Sequence, residues 1–546
     1  MSNWPLLPIA GGQRSTLNPA ARGVGIPLQG CLIGTVAAAV SGLAVAASFI
    51  WFELYPLAWV ALVPLLIAVW QAPTGRHAAG LGWIAGWATN LPAFYWLVYT
   101  IRVFGGFPLP VALVFYLLLT AFTAVQFAAF GWVVHRLRRG PMWPLAVAAA
   151  WVVLEYWYPN LFPWRLANSQ MQALHLVQSG DLAGPYLLSF VMVWFAAAAA
   201  HWCTIRQAVA LVASIVTAAL LWVYGWYRLP QVDEAMRQAP AIRVALVQGN
   251  VGIAEKGDLR YFEVNLEKYR QLSRAVQEQV DLLVWPETVH QEWIPADLGQ
   301  LRGKENPFPD LRSHLIFGGL AYRFVGADKV EQFNSAFWIE PGGIVRGRYD
   351  KRILMPFGEY IPGGELVPAV YALSPASGRL TAGRSERVFV LDNGARVGQL
   401  ICFEDIVGDM PRKTTLAGAN VLVTILNDAW YGDSPAPYQH QALALWRAIE
   451  NRRFLLRGSN TGVTSIIDAA GRVRAQGGLF TEEVVTGEAR LLNLPTVYAR
   501  LGDALPWMAA IFLGTVLLLQ QRRHTSAGKL REARCNGGAL STAQLL

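Results

Sequence analysis

The spacing of its apolar runs constrains this chain more than any other feature. Runs occupy about 30–50, 54–71, 79–101, 109–134, 142–158, 184–202 and 207–227, and an eighth lies at about 502–520. A helix crossing the hydrocarbon core of a bilayer needs about 20 apolar residues, within a range of about 17–25. Lipid offers the backbone no hydrogen-bonding partner, so runs of this kind cross as helices. All eight fit, the second and fifth near the short limit. The low charge agrees: 15% of residues are Asp, Glu, Lys or Arg, against roughly 25% in soluble domains. Between the seventh and eighth runs lie some 270 residues of mixed polarity. A water-soluble domain slung between two membrane anchors is expected.

Charge orients it. Counted alternately, the connections on one side hold Arg14, Arg22, Arg76, Arg136, Arg138, Arg139 and Arg206. After the last run the same side receives Arg522, Arg523, Lys529, Arg531 and Arg534, while the other short connections hold little beyond Arg102 and Arg165. Positive charge prefers the cytoplasm. Residues 1–28 are therefore expected inside as an N-terminal segment, 29–228 as seven spans and 229–500 outside. An eighth span at 501–521 would return the tail 522–546 to the cytoplasm. The net charge of +9 follows from this topology and forms no basic stripe with interleaved aromatics, so nucleic acid is not an expected partner. Glu155 in "WVVLEYWYP" stands near the outer end of the fifth run, either facing a partner or solvated at the interface. The amphipathic connection 159–183 could rest on the lipid surface or be structural filler.

The polar section reads as alternating strands and helices. "IRVALVQGN", "DLLVWPE", "LIFGGLAY", "FNSAFWIE", "GIVRGRYDK", "RVFVLD", "ARVGQLICFE" and "NVLVTILND" have strand character, and "GVTSIIDAAGRV" reads as a hairpin. Helical spacing covers 258–279, about 409–418 and about 437–456. Mixed sheets with helices on their outer faces follow. In α/β folds reactive groups gather beyond the carboxyl ends of strands, where Glu287, Cys402 and Asn427-Asp428 stand.

Glu287 in "WPET", Lys351 in "RYDKRILMPFGEY" and Cys402 in "ICFED" have complementary chemistry. A cysteine attacks as its thiolate. A carboxylate can take the thiol proton and return it to a leaving group, and a lysine can stabilise the oxyanion of a tetrahedral intermediate. Together they would transfer an acyl group through a thioester. Each alone has a plainer reading, as a buried cysteine or a surface charge. The histidines show no paired ligand spacing, His440 reads as a helix-face residue, and no phosphate-binding glycine loop occurs, so no metal or cofactor is implied.

The order Glu, Lys, Cys within "WPE", "YDK", "PFGEY", "ICFE", "NDAWYG" and "ENRR…SNTG" resembles the nitrilase superfamily. With the flanking membrane runs, nearly the whole chain resembles the apolipoprotein N-acyltransferase family. That resemblance implies a multi-span α-helical membrane bundle of about eight helices plus a nitrilase-like α/β domain, an αββα sandwich, facing the periplasm from the bacterial inner membrane. It implies a Glu287-Lys351-Cys402 triad, with Glu359 orienting the lysine, Glu404 supporting the cysteine loop, Trp430 walling the thioester site and Asn334 hydrogen-bonding within it. It further implies a phospholipid acyl donor and the α-amino group of a diacylglyceryl apolipoprotein as acceptor, the last step of lipoprotein maturation. Phe403 stands where family members often carry tyrosine, and only packing is expected of it. Two rival readings share many of these residues: a membrane-tethered amidase or nitrilase-type hydrolase, and a non-catalytic transporter or scaffold.

Overall fold

A computed structural model of the protein describes residues 28–535, apart from 139, 141, 327–328, 365, 368–370 and 372–377. Arg14, Arg22 and Arg139 lie outside the described residues, as do 1–27 and 536–546.

Five helices are long and apolar enough to cross a membrane: Cys31–Ile50, Leu109–Leu137, Pro185–Ile205, Val209–Gln238 and Ala504–Arg522. Leu57–Gln71 and Trp143–Trp157 are shorter apolar helices, and Gly75–Ala93 adds a 19-residue helix rich in Gly and Ala. That richness has a packing reason. A Cβ at Gly82 would stand 2.1 Å from the Phe127 carbonyl oxygen, and one at Gly42 2.2 Å from that of Ala85. Among apolar surroundings helices gain little by hiding from lipid and associate through close backbone approach, which only small residues allow.

The third run departs from its expected single span. Its helix ends at Ala93, one residue beyond Pro92, and the chain turns before a short helix at Leu97–Val103. Proline lacks the N–H that would continue the ladder. The seventh helix instead outruns its apolar stretch. It continues to Gln238, and its polar last third buries Leu229, Val232 and Met236 against the sandwich.

The polar section forms two sheets. In chain order come β1 (Ala241–Gln248), β2 (Leu282–Val284), β3 (His290–Pro295), β4 (His314–Val325), β5 (Lys329–Glu340) and β6 (Ile344–Asp350). There follow β7 (Val388–Val390), β8 (Arg396–Ile401), β9 (Val421–Leu426), β10 (Phe454–Ser459), β11 (Ser465–Ile467) and β12 (Val473–Gln476). Finally β13 (Glu483–Arg490) returns to pair antiparallel with β1. The first sheet has the order β13-β1-β2-β4-β5-β6 with β3 beside β4; the second runs β12-β11-β10-β9-β8-β7. The central pairs β1-β2, β2-β4, β8-β9 and β9-β10 are parallel.

Parallel strands are covered on both faces and so read as continuous apolar runs. Strand alternation divides the faces. Val244 and Leu246 of β1 turn inward to meet Val421, Val423 and Ile425 of β9. Ala245 and Val247 face the helix Phe262–Arg274 through Phe262, Leu266 and Tyr269. On the other side Leu422 and Leu455 meet Leu443, Leu445 and Ile449 of the helix Ala436–Asn451, in a cluster continuous with the membrane helices. The layers are thus helix, sheet, sheet, helix, and the last layer is shared with the bundle.

The connection 159–183 forms part of that seam rather than lying on a lipid surface. Trp164, Leu166, Gln170, Gln178 and Asp181 are buried, and Asp181 takes Arg452 of the sandwich at 2.8 Å together with Arg228 at 2.8 Å. Glu155 holds its near end: buried, it accepts from Trp151 Nε1 at 2.6 Å, Leu166 N at 2.7 Å and Ser189 Oγ at 3.3 Å. Of the two readings of Glu155, the partnered one describes it.

Candidate active site

Each sheet delivers its chemistry at strand ends. Glu287 stands three residues beyond β2, Lys351 directly after β6 and Cys402 directly after β8. Asn334 projects from β5, whose carbonyl oxygen accepts from Lys351 N at 2.8 Å. The two sheets face one another, so ends that are far apart in sequence converge at one mouth of the sandwich.

Lys351 is the hub. Only 2% exposed, it sets its ammonium 3.2 Å from Glu287 Oε1 and 2.9 Å from Glu359 Oε2. Asn334 Nδ2 donates to both carboxylates, at 2.7 Å to Glu287 and 2.7 Å to Glu359. Glu359 also accepts from Met355 N at 2.7 Å, fixing its own loop. Burial pulls the lysine pKa down, but Glu287, Glu359 and Cys402 outweigh it and hold the ammonium well above its usual value. A permanent cation results.

Cys402 is half-buried and has φ +50°, a left-handed conformation that only glycine adopts without strain. The kink ends β8 and starts the short 3-10 helix Cys402–Ile406. Burial pushes the thiol well up; Glu287, Asp428 and Glu359 add to the rise, and Lys351 opposes it. Burial and the neighbouring carboxylates thus favour the neutral thiol over the thiolate.

Glu404 supports this turn through its hydrogen bonds. It is fully buried and accepts from Ile401 N at 2.8 Å, Arg352 N at 2.7 Å, Ile353 N at 3.1 Å and the Tyr349 hydroxyl at 2.9 Å. It thereby joins the residue before Cys402 to the residues after Lys351. Burial raises its pKa to about 7 against the pull of these backbone donors and Lys351.

Trp430 packs edge-on against Phe104 at 4.4 Å, and its carbonyl oxygen accepts from Thr100 Oγ1 at 2.8 Å. It therefore joins the cysteine side of the sandwich to the bundle. Phe403 does the packing expected of it, with its ring 6.4 Å from Phe162.

Sequence reading missed several groups. Tyr431, the next residue of "NDAWYG", rests on Trp96 at 4.8 Å, and burial pushes its phenol pKa well up, with Asp428 and Cys402 adding to the rise. His440 is no plain helix-face residue: Nδ1 lies 3.0 Å from Asp428 Oδ1 and Nε2 2.9 Å from Asp405 Oδ1. Burial lowers its pKa, but Asp405 and Asp428 raise it to about 9, so it is an imidazolium clamped between two carboxylates. Arg457 completes the cluster on Asp405 at 3.0 Å. Lys256, from the loop after β1, donates to the Glu287 carbonyl oxygen at 2.6 Å. The adjacency of "ED" to the cysteine and "ND" to the tryptophan was the available signal for the aspartates; nothing local marks Lys256.

Residues 243–494 match the carbon-nitrogen hydrolase family, and residues 41–198 match the apolipoprotein N-acyltransferase N-terminal domain. The chain is similar to an apolipoprotein N-acyltransferase of Geobacter metallireducens, 36% identical over 89% of this chain and 95% of the relative. Proteins of the same description from Azotobacter vinelandii and Pseudomonas aeruginosa are 31% and 30% identical, over 88% and 90% of this chain and 94% and 95% of their own. Saccharomyces cerevisiae Nit3, described as a member of branch 10 of the nitrilase superfamily, is 18% identical with a TM-score of 0.34 over 46% of this chain and 90% of its own.

Proposed function

The chain belongs to the apolipoprotein N-acyltransferase family, and from that premise we propose that Glu287, Lys351 and Cys402 carry the acyl group between two lipids. The observation that carries the reading is the buried Glu287-Lys351-Glu359 array beside a half-buried, strained cysteine.

In the first half-reaction Glu287 takes the Cys402 proton, and the thiolate attacks an ester carbonyl of a phospholipid. Lys351 balances the oxyanion of the tetrahedral intermediate. Its collapse breaks the ester C–O bond, Glu287 returns the proton to the departing oxygen, and a lysophospholipid leaves a thioester on Cys402. In the second, the neutral α-amino group of an apolipoprotein's diacylglyceryl cysteine attacks the thioester. Glu287 takes the amine proton, the C–S bond breaks, and the proton returns to sulfur. An amide and the free enzyme remain. The raised thiol pKa favours this base-assisted sequence over a standing thiolate. Glu359 and Asn334 hold the lysine and the base in register, and Glu404 holds the cysteine turn. Trp430 walls the thioester site at the seam with the bundle.

The setting follows the same reading. Eight crossings are obtained when Leu57–Gln71, Gly75–Ala93 and Trp143–Trp157 join the five longer helices. Both ends are then cytoplasmic, 229–500 face the periplasm, 29–228 and 501–521 hold the chain in the inner membrane, and 1–28 and 522–546 remain inside. Both substrates are lipids, which explains why the cysteine side of the sandwich is the side fused to the bundle.

The decisive test incubates purified full-length protein with phospholipid labelled in its acyl chains. One acyl group on Cys402, discharged on adding a diacylglyceryl lipopeptide, is expected. Absence of label with no consumption of lipid removes the acyltransferase mechanism; label discharged equally well by water supports the hydrolase reading.

Glu404→Gln tests the supporting role. An amide offers N–H groups where Ile401 N–H and the Tyr349 hydroxyl now donate, so at least one buried donor loses its acceptor. That loss costs about 1–3 kcal/mol. Slower thioester formation with intact membrane insertion is expected, and wild-type labelling kinetics would show that Glu404 does not set the cysteine turn.

A further inference from the structure

Lys256 stands beside the triad without a part in the scheme above. It closes the short helix Ile253–Lys256 in "VGIAEKGD" and its ammonium donates to the main-chain oxygen of Glu287 at 2.6 Å. That oxygen belongs to a constrained turn. Thr288, the next residue, has φ +48°. Gly318 of β4 lies so close that a Cβ there would be 2.4 Å from Thr288 N and 2.6 Å from Glu287 Cα. The turn decides where the Glu287 carboxylate is delivered, and Lys256 ties down its carbonyl.

Charge gives the second argument. Glu287 and Glu359 share one lysine and one asparagine, so with both carboxylates ionised the array carries one excess negative charge. Like-charged carboxylates at close quarters repel one another, and a second cation close by offsets that repulsion. The neighbouring Asp405-His440-Asp428 cluster lends no positive charge, because its imidazolium and Arg457 are matched by its own two aspartates. Lys256 brings the triad array to neutrality. Burial pulls its pKa down to about 8 against the opposing pull of Glu287 and Cys402, so at neutral pH it is charged and coupled to both.

We propose that Lys256 is a positioning residue for thioester formation: it pins the Glu287 turn and supplies the second positive charge that balances the Glu287-Glu359 pair and keeps the Cys402 thiolate attainable. This rests on the thioester reading, and the test separates the two.

The groups facing Cys402 are Glu287, Lys351, Asp428, Glu359, the Tyr431 hydroxyl and Lys256 itself; those facing Lys256 are Glu287 and Cys402. Full-length protein in detergent is alkylated with iodoacetamide across pH, and the Cys402 peptide is followed by mass spectrometry apart from those of Cys31, Cys203 and Cys535. Lys256→Met removes both the donor and the charge; Lys256→Gln keeps a donor and removes only the charge; Lys256→Arg keeps both. The Met and Gln variants are expected to move the alkylation midpoint up by about one pH unit, with acylation from labelled phospholipid about tenfold slower at pH 7. Lys256→Arg should stay within about threefold of wild type, since a retained charge retains the effect. Unmoved midpoints with wild-type acylation in Met and Gln overturn the inference. So does an Arg variant as slow as Met, which would reduce Lys256 to a packing role. Should Met fail to fold, Gln reads the charge alone. Alkylation needs no lipid: shifted midpoints in a protein that never takes an acyl group would uphold the coupling of Lys256 to Cys402 and overturn the thioester reading on which its positioning role rests.

Discussion

Cys402→Ser is expected to lower lipoprotein N-acylation by at least about 10³-fold, the scale on which a covalent enzyme loses activity when its nucleophile is disabled. The substitution changes one atom. The hydroxyl fits the same half-buried position and the same left-handed turn, so the fold should persist. What is lost is acidity and softness. The thiol is already pushed up by burial and by Glu287, Asp428 and Glu359, and an alcohol starts several units higher, beyond what a carboxylate base can ionise. Purified Cys402→Ser should melt with the wild type and elute with it, yet take no label from phospholipid. In cells depleted of their own N-acyltransferase it should fail to complement. Full complementation would remove Cys402 from the chemistry and favour the non-catalytic reading of the outer domain.

How much of this was legible in the sequence depended on how local the signal was. The apolar runs marked the apolar helices, five of them long enough to cross a membrane, because hydropathy integrates over a whole span. They misplaced what hydropathy does not weigh: Pro92, which ends a helix inside an apolar run, and the amphipathic extension to Gln238, whose three buried contacts belong to another domain. The core strands were readable because a parallel strand covered on both faces is buried throughout and so nearly all apolar, as in "VLVTIL". β13 and β3 were not, since "EVVTGEAR" and "HQEWIP" are partly exposed strands whose place is fixed by pairing with β1 and β4.

The candidate site divides the same way. Glu287, Lys351 and Cys402 stand in recognisable local strings at strand ends, and Glu359 and Glu404 share those strings. The partners that arrive across the fold carry no such mark. Lys256 is one lysine at the end of a four-residue helix, and His440 became an imidazolium only because two aspartates from different strand ends close on it. A charge can be seen in a sequence; the sum of charges in a buried volume requires the packing.

Lys351→Met should be the next most damaging change after loss of the cysteine, and it separates catalysis from stability. The ammonium is 2% exposed between two carboxylates, so its removal leaves like charges facing one another with Asn334 and the more distant Lys256. Breaking a buried ion pair from one side costs about 3–5 kcal/mol. The cost should depend on pH in a defined direction. Because the folded lysine pKa lies well above its usual value, the wild-type interaction is fully present below the unfolded value of about 10.4. It is lost only as pH rises through the folded value. In the variant the two carboxylates face one another without the ammonium, and they repel wherever both are ionised. Thermal unfolding of Lys351→Met should therefore approach the wild type in acid and depart from it toward neutrality. Adding Glu359→Gln removes the repulsion and should recover most of that stability. Acylation should not recover, because no cation then meets the oxyanion, and the loss of one such stabilising group is worth about 10²–10³ in rate. Thioester formation at the wild-type rate in either variant would show that Lys351 holds the site together without stabilising the transition state.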